Sequence, residues 1–399
     1  MKDISKRNIL IIFAVRGIRS LFAGMLTISF SLYLYDVLRF PLYEIGAIFM
    51  AGAFFTPILS LIFGYYADAI GRKKILLINF LLMSLSIVLI IASRNYYALM
   101  AAAALGGLGT AGGLIGGAVG ASAGPIMTAL IAENAKRERL TAYFALNNMI
   151  SAFAGGIGAY IAGLEGYSAS FYESLMLSLL SIILALFIVE RYVPTPRKAT
   201  AETRESPRGR SGGPNYIKYF SLTGLLNGFS QGLVTPFFAI IFEVLFDLSK
   251  AQIGMLFSMG GYLTGLAYIF SPSLNRALGF TKSIIITRTL SATALLLLPL
   301  MRSAFLAEAM YLILTPLRAI SLPIQSSLMM GLIGEEQRAT GSGLNQFSRL
   351  MASAFSTVLG GFLLEFAPPL VPFAVSASAT YLNSYLYRQY FSDVEKGIR

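Results

Sequence analysis

The chain has 399 residues with a mean hydropathy of +0.70, and only 13% of them are Asp, Glu, Lys or Arg. Water-soluble domains carry about 25% charged residues, so this composition excludes a water-facing globule. Cysteine, histidine and tryptophan are absent, which excludes disulfides, thiol or imidazole catalysis, and metal sites other than those built from carboxylate and carbonyl oxygens.

Apolar runs of about 20 residues, each long enough to cross a bilayer, recur from Ile9 almost to the C-terminus. They show none of the short alternation of a β-barrel, so the expected fold is all-α and polytopic. The first run covers 9–37. Its lead, "MKDISKRNILIIF", has no small-residue cleavage site, and Arg16 and Arg19 interrupt the apolar stretch, so a retained helix is expected. Spans at 44–65, 75–93, 97–132, 140–164 and 170–189 complete a first set of six. Span four contains nine glycines among residues 106–124, which suit close helix packing or a break in the span, packing being the expected one. The Pro-, Gly- and charge-rich stretch "ERYVPTPRKATAETRESPRGRSGGPN" follows as a linker. Spans at 216–243, 251–271, 283–301, 304–333, 340–365 and 370–390 form the second set. The organisation expected is a six-helix bundle at 1–189, a cytoplasmic linker at 190–214 and a second six-helix bundle at 215–399.

The net charge of +12 invites a nucleic-acid reading, which the positions of the 31 cations answer. Twenty-two lie at the N-terminus, in the linker, in the tail and in the loops on that side. Four, Arg39, Arg94, Lys250 and Arg302, lie on the other side. This is positive-inside bias, predicting a multi-pass protein of the cell membrane with both termini in the cytoplasm and no nucleic-acid partner.

The two sets repeat. A shift of 208 superposes Gly46 on Gly254, Gly71 on Gly279 and Lys74 on Lys282. Further along, a shift of 198 pairs Pro125 with Pro323 and Asn147 with Asn345. Parallel repeats of six spans place a substrate path at their interface, near the bilayer midplane.

Between spans two and three the chain reads "GYYADAIGRKK". Gly64, Asp68, Gly71, Arg72 and Lys73 fit the pattern G-x-x-x-D-x-x-G-R-K/R. With the twelve spans, the linker and a degenerate second copy after span eight, the whole chain resembles the major facilitator superfamily. The resemblance implies two six-helix bundles that rock about a cavity, with this motif latching the outward-facing state. Asp68 would then sit at the positive N-terminus of span eleven, near Thr340, and Arg72 would pair with Glu133. Other family signatures fail: Ala102 and Ala103 stand where many members carry an arginine in span four, and span five lacks the Gly-Pro step of drug–proton antiporters.

Five arginines, Arg16, Arg19, Arg288, Arg318 and Arg349, fall inside spans, while no carboxylate falls near a span centre. Each costs about 2.5–3.5 kcal/mol at a helix centre on insertion scales, together comparable with a domain's net stability of about 5–15 kcal/mol. They must snorkel, face water or meet an anion. Arg288, about 9 Å along the helix from Lys282, is expected to snorkel. Arg16, Arg19, Arg318 and Arg349 are the expected substrate ligands, with Asn147, Asn227, Gln231, Gln325 and Asn345 as weaker polar candidates. Asp36, Glu173 and Glu308 are the candidates for carrying a coupling proton.

These features point to a monomeric secondary transporter for a small organic solute, anionic in charge, with membrane lipid and a coupling proton or ion as further partners. No cofactor, metal or enzymatic activity is expected. A proton-coupled multidrug or lipid efflux antiporter is the alternative. A membrane sensor or intramembrane enzyme lacks both a sensory domain and a nucleophile–base set.

Overall fold

The computed structural model describes residues 2–109, 123–134, 140–190, 216–333 and 338–392. Inside hydrocarbon every backbone N–H and C=O must be satisfied within the chain, and helices do so segment by segment. The first set comprises α1 (Lys2–Leu32), α2 (Leu42–Ile70), α3 (Arg72–Ala92), α4 (Tyr96–Gly106), α5 (Gly124–Asn134), α6 (Leu140–Leu164) and α7 (Tyr167–Leu186). α1 runs on through a π-helical turn, Tyr33–Val37. The second set comprises α8 (Tyr216–Val234), α9 (Phe238–Phe246), α10 (Lys250–Leu278), α11 (Phe280–Leu297), α12 (Ala304–Leu332), α13 (Arg338–Phe366) and α14 (Leu370–Phe391). Pro236, within the 3-10 turn Thr235–Phe237, separates α8 from α9, because proline cannot supply the N–H of a continuous helix.

Ten helical stretches among the described residues are long and apolar enough to span a membrane. The expected span four departs from a continuous helix. α4 ends with Gly107 in the left-handed conformation (φ 64°), and residues 110–122 lie outside the described residues. The helix ends at Gly107, and α2 packs closely on that end: a Cβ on Gly52 of α2 would meet the carbonyls of Leu108 and Ala103 at 1.8 and 2.8 Å. The expected span twelve, α14, has 22 residues but buries Ser376, Thr380, Asn383 and Ser384, which lower its hydropathy. Most of the expected linker lies outside the described residues.

The repeat is visible in the backbone. Arg39 and Asp247, 208 positions apart, are the non-glycine residues with positive φ (56° and 54°) among the described residues. Gly71 and Gly279, the same distance apart, adopt φ of 116° and 82° where α2 turns into α3 and α10 into α11.

The turns at Gly71 and Gly279 mark one end of the molecule, here the basic end. The turns at Phe40, Asn95, Gly166, Leu248 and Arg302 mark the opposite end. At the opposite end the two sets pack closely. A Cβ on Gly46 in α2 would lie 2.9 Å from the Thr357 carbonyl and 3.4 Å from Gly361 Cα in α13. A Cβ on Gly254 in α10 would lie 2.7 Å from Gly163 Cα in α6. These two contacts are repeat-equivalent, and stacking of Tyr43 on Phe366 at 6.0 Å extends the first. Toward the basic end, Gly64 on α2 and Gly343 on α13 face open space, with nothing within 4 Å of a built Cβ. The two sets thus cross closely toward the opposite end.

Candidate functional site

The motif turn forms as its glycine requires. Gly71, with φ 116°, ends α2 and starts α3, a conformation that only glycine adopts without strain. The Arg72 guanidinium reaches Glu133 at the end of α5 at 3.3 Å, half-buried on both sides, as the motif led us to expect. Its Nη1 also donates to the Ala129 carbonyl at 3.4 Å. Lys73 Nζ donates to the Leu186 carbonyl at 2.6 Å. The sequence reading assigned Glu190 to the linker, but its carboxylate accepts from the Arg72 and Lys73 amides at the positive N-terminus of α3. Gly71 admits it: a Cβ there would stand 2.8 Å from Glu190 Oε2. The clue available was an acid at the end of span six, level with three cations. The side chains of Asp68 and of the first residues of α13 lie outside the described ones, so their expected contact does too.

The arginines separate into three groups. Arg16 and Arg19 lie on α1, within electrostatic reach of each other. Arg19 is 1% exposed, with Nη1 4.0 Å from Met127 Sδ. Arg16 looks across to the second set: Tyr268 of α10 lies within electrostatic reach of both Arg16 and Arg349 of α13. Arg349 donates to Gln346 on its own helix at 2.9 Å. The Nε of Arg16 is buried without a hydrogen-bond acceptor. Neither Arg16 nor Arg349 has a carboxylate partner among the described residues.

Arg318, in the middle of α12, donates to Thr235 Oγ1 at 3.1 Å, in the turn where α8 gives way to α9. Its other neighbour is Tyr311, whose hydroxyl is buried without a partner. Arg318 therefore belongs to the inside of the second set.

Arg288 does not snorkel. It is 3% exposed and donates to Asn383 Oδ1 of α14 and Gln325 Oε1 of α12, with its guanidinium 4.8 Å from the centre of the Tyr387 ring. Burial is tolerated because two amide oxygens and a ring face replace water around the charge. Gln325 is thereby a partner for Arg288. Asn345 likewise ties α13 to the Phe220 carbonyl of α8 inside the second set. Asn227 and Gln231 bond to each other along α8 at 3.0 Å. Asn147 is half-buried, with Oδ1 lacking a donor.

The candidate coupling acids all lie toward the opposite end. Asp36, in the π-turn, accepts a hydrogen bond from the Tyr167 hydroxyl. Glu173 lies near Glu165 of the α6–α7 turn, where burial, followed by the charge of Glu173, raises the Glu165 carboxyl above its ordinary value. Glu308 is half-buried near the start of α12.

Comparison with known proteins places this geometry in context. Residues 12–357 match the family model described as Major Facilitator Superfamily. Comparison with curated protein sequences found no relative. Among solved structures, a variant of the nucleoside transporter NupG is similar at TM-score 0.77 and 12% identity, covering 96% of this chain and 100% of that one. The xylose transporter XylE from E. coli, in an inward-open conformation, is similar at 0.76 and 15%, covering 96% of both chains. The human organic anion transporter MFSD10 is similar at 0.68 and 15%, covering 96% and 99%.

Proposed function

This chain belongs to the major facilitator superfamily, a family of transporters and not of enzymes, and from that premise we propose that it carries a small organic anion across the cell membrane by alternating access. The observation that carries the reading is that Tyr268 of α10 lies within electrostatic reach of Arg16 of the first set and Arg349 of the second, neither of which has a carboxylate partner among the described residues. Two arginines without carboxylate partners leave positive charge within the spans that an anion would neutralise. A carboxylate or phosphate would take two parallel hydrogen bonds from either one. Arg19, within electrostatic reach of Arg16, adds positive field, and Tyr268 offers a hydroxyl. Arg318, with Thr235, lines the second set and steadies the broken seventh span. Positive-inside bias favours a cytoplasmic basic end with both termini on that side. That the structurally similar MFSD10 is an organic anion transporter is in keeping with the reading.

The test is thermal stabilisation of the purified protein by a panel of mono- and dicarboxylates and organic phosphates, set beside uncharged nucleosides and xylose, followed by counterflow in proteoliposomes. Anions should raise the melting temperature, and Arg349→Lys or Arg16→Lys should weaken the best of them about tenfold, because lysine keeps the charge and loses the two-pronged geometry. Stabilisation by lipophilic cations, indifferent to both substitutions, would sink the anion reading. It would also promote proton-coupled efflux of drugs or lipids, for which the acids of the opposite end would supply the proton site.

A further inference from the structure

Two buried polar atoms without partners lie at one level of a single helix crossing. α1 and α6 run side by side in the same direction. Ser20 and Ser151 share a hydrogen bond at 2.8 Å, and one turn on, a Cβ on Gly24 would lie 2.1 Å from the Gly155 carbonyl oxygen. One turn back along both helices stand Arg16 and Asn147. The second set repeats this crossing with α8 and α13, through the same shifts of 208 and 198. There a Cβ on Gly232 would lie 2.2 Å from the Ser353 carbonyl oxygen, and one on Gly228 would lie 1.9 Å from that of Arg349. At the third level, a Cβ on Gly224 would lie 2.6 Å from Asn345 Nδ2. Gly224 and Asn345 are the repeat counterparts of Arg16 and Asn147. The first set therefore carries a guanidinium where the second leaves bare backbone against the asparagine.

Neither member of the first pair is satisfied. Arg16 Nε is a buried donor without an acceptor, and Asn147 Oδ1 is a buried acceptor without a donor. Native interiors rarely leave such atoms unpaired, and a donor and an acceptor at one level call for a group that answers both. The second set reaches the same level from across the interface. A Cβ on Gly261 of α10 would lie 3.0 Å from the Ala152 carbonyl oxygen of α6, and one on Gly265 would lie 3.6 Å from Ala152 Cβ. The helices run oppositely here, so one turn beyond Gly265, Tyr268 stands opposite the turn of α6 that holds Asn147. Thr264, one turn before Tyr268 on α10, also has a buried Oγ1 without a partner. Neither α6 nor α10 contains an acid, and Arg19 lies within electrostatic reach of Arg16.

We propose that Asn147 selects the substrate, and that the site takes a hydroxylated organic anion. Its carboxylate or phosphate accepts from Arg16, Nε included, and its neighbouring hydroxyl donates to Asn147 Oδ1. The donor has to be neutral, because an ammonium would stand beside Arg16 and Arg19 with no acid on α6 or α10 to balance it. A deoxy analogue leaves Oδ1 buried and unpaired, and that loss is what makes the hydroxyl count. The proposal rests on the reading that Arg16 helps to hold an anion, and it adds the second feature that this anion carries.

The test measures affinity by thermal shift on the purified full chain in nanodiscs, with three matched pairs of probes. These are lactate and propionate, malate and succinate, and glycerol 3-phosphate and propyl phosphate, with alanine as the ammonium-bearing case. In at least one pair the hydroxylated member should bind about tenfold tighter than its deoxy partner, the effect of one hydrogen bond lost at a buried acceptor. Alanine should bind no better than propionate. Asn147→Leu, close in size and without the carbonyl, should bring the ratio within that pair to about one, and Asn147→Ala serves if the leucine variant fails to fold. Asn148→Leu, at the exposed neighbouring position, should keep the ratio. An Asn147 that is only structural would weaken both members together and preserve the ratio in Asn147→Leu, which overturns the proposal. Equal affinities within every pair in the parent protein also overturn it and leave the anion reading standing. So does alanine binding as tightly as lactate. If no anion binds and uncharged or cationic solutes do, the proposal and the anion reading fall together.

Discussion

Arg288 shows how a residue's environment decides its role when its depth along a helix does not. Six positions beyond Lys282, it has the length to snorkel, and sequence distance alone favours that outcome. Its acceptors come from 37 and 95 residues further along the chain, on α12 and α14, and no local pattern announces them. The same blindness made Gln325 and Asn345 look like cavity ligands, although both are joined to partners within the second set. Hydrogen bonds to a charged group contribute about 1.5–3 kcal/mol, and a buried charge deprived of one bears the cost of desolvation. Gln325→Leu should therefore lower the melting temperature of the purified protein by that order of stability and leave anion affinity unchanged. An unaltered melting temperature, or a loss of affinity at full stability, would return Gln325 to the cavity.

Glycine positions carry the element-scale design, and the sequence displays part of it. The shift of 208 brings Gly46 onto Gly254, and the shift of 198 brings Gly163 onto Gly361. The structure adds that these four make two equivalent crossings, α2 on α13 and α6 on α10. In the membrane, such crossings draw on close backbone approach, because lipid tails are as apolar as the side chains they would replace. The pairing between sets was not legible, since a repeat aligns equivalent residues without saying which ones touch. Nor was the end of α4 at Gly107, because a run of nine glycines serves a close contact or a break equally well. Gly254→Val would drive two methyl groups into Gly163 and the Ala159 carbonyl, each 2.7 Å from a single Cβ. The opposite end should then close less completely. An impermeant thiol reagent should label a cysteine placed at Phe257, now 3% exposed in the parent, at least several-fold faster in the Gly254→Val background. Equal labelling rates would show that the crossing does not hold the closure.

At the scale of the whole molecule, the sequence made the membrane class, the two-set repeat and the basic end legible, because composition and charge asymmetry are summed over hundreds of residues. The conformational state was not, since it depends on contacts between sets that differ by small energies. A Cβ built on Gly64 of α2 or Gly343 of α13 would have nothing within 4 Å, so neither glycine serves a close crossing. Arg72 ties the start of α3 to Glu133 of α5, and Glu190 caps the same helix start. The motif's expected latch would have Asp68 engage the N-terminus of α13 when the basic end shuts. A carboxylate at a helix N-terminus contributes about 0.3–1 kcal/mol when exposed and up to ~2 kcal/mol when partly buried. Each 1.36 kcal/mol is a factor of ten, so Asp68→Asn should raise the basic-end-open population relative to the closed one by about two- to tenfold. Spin labels on Lys74→Cys and Lys282→Cys, repeat-equivalent and exposed at that end, measure this directly as growth of the longer of two distances. Transport should slow in parallel, because each cycle must pass through the form that has lost its latch. Distance populations identical to those of the parent would leave Asp68 without a gating role, and the cations around it would then serve topology alone.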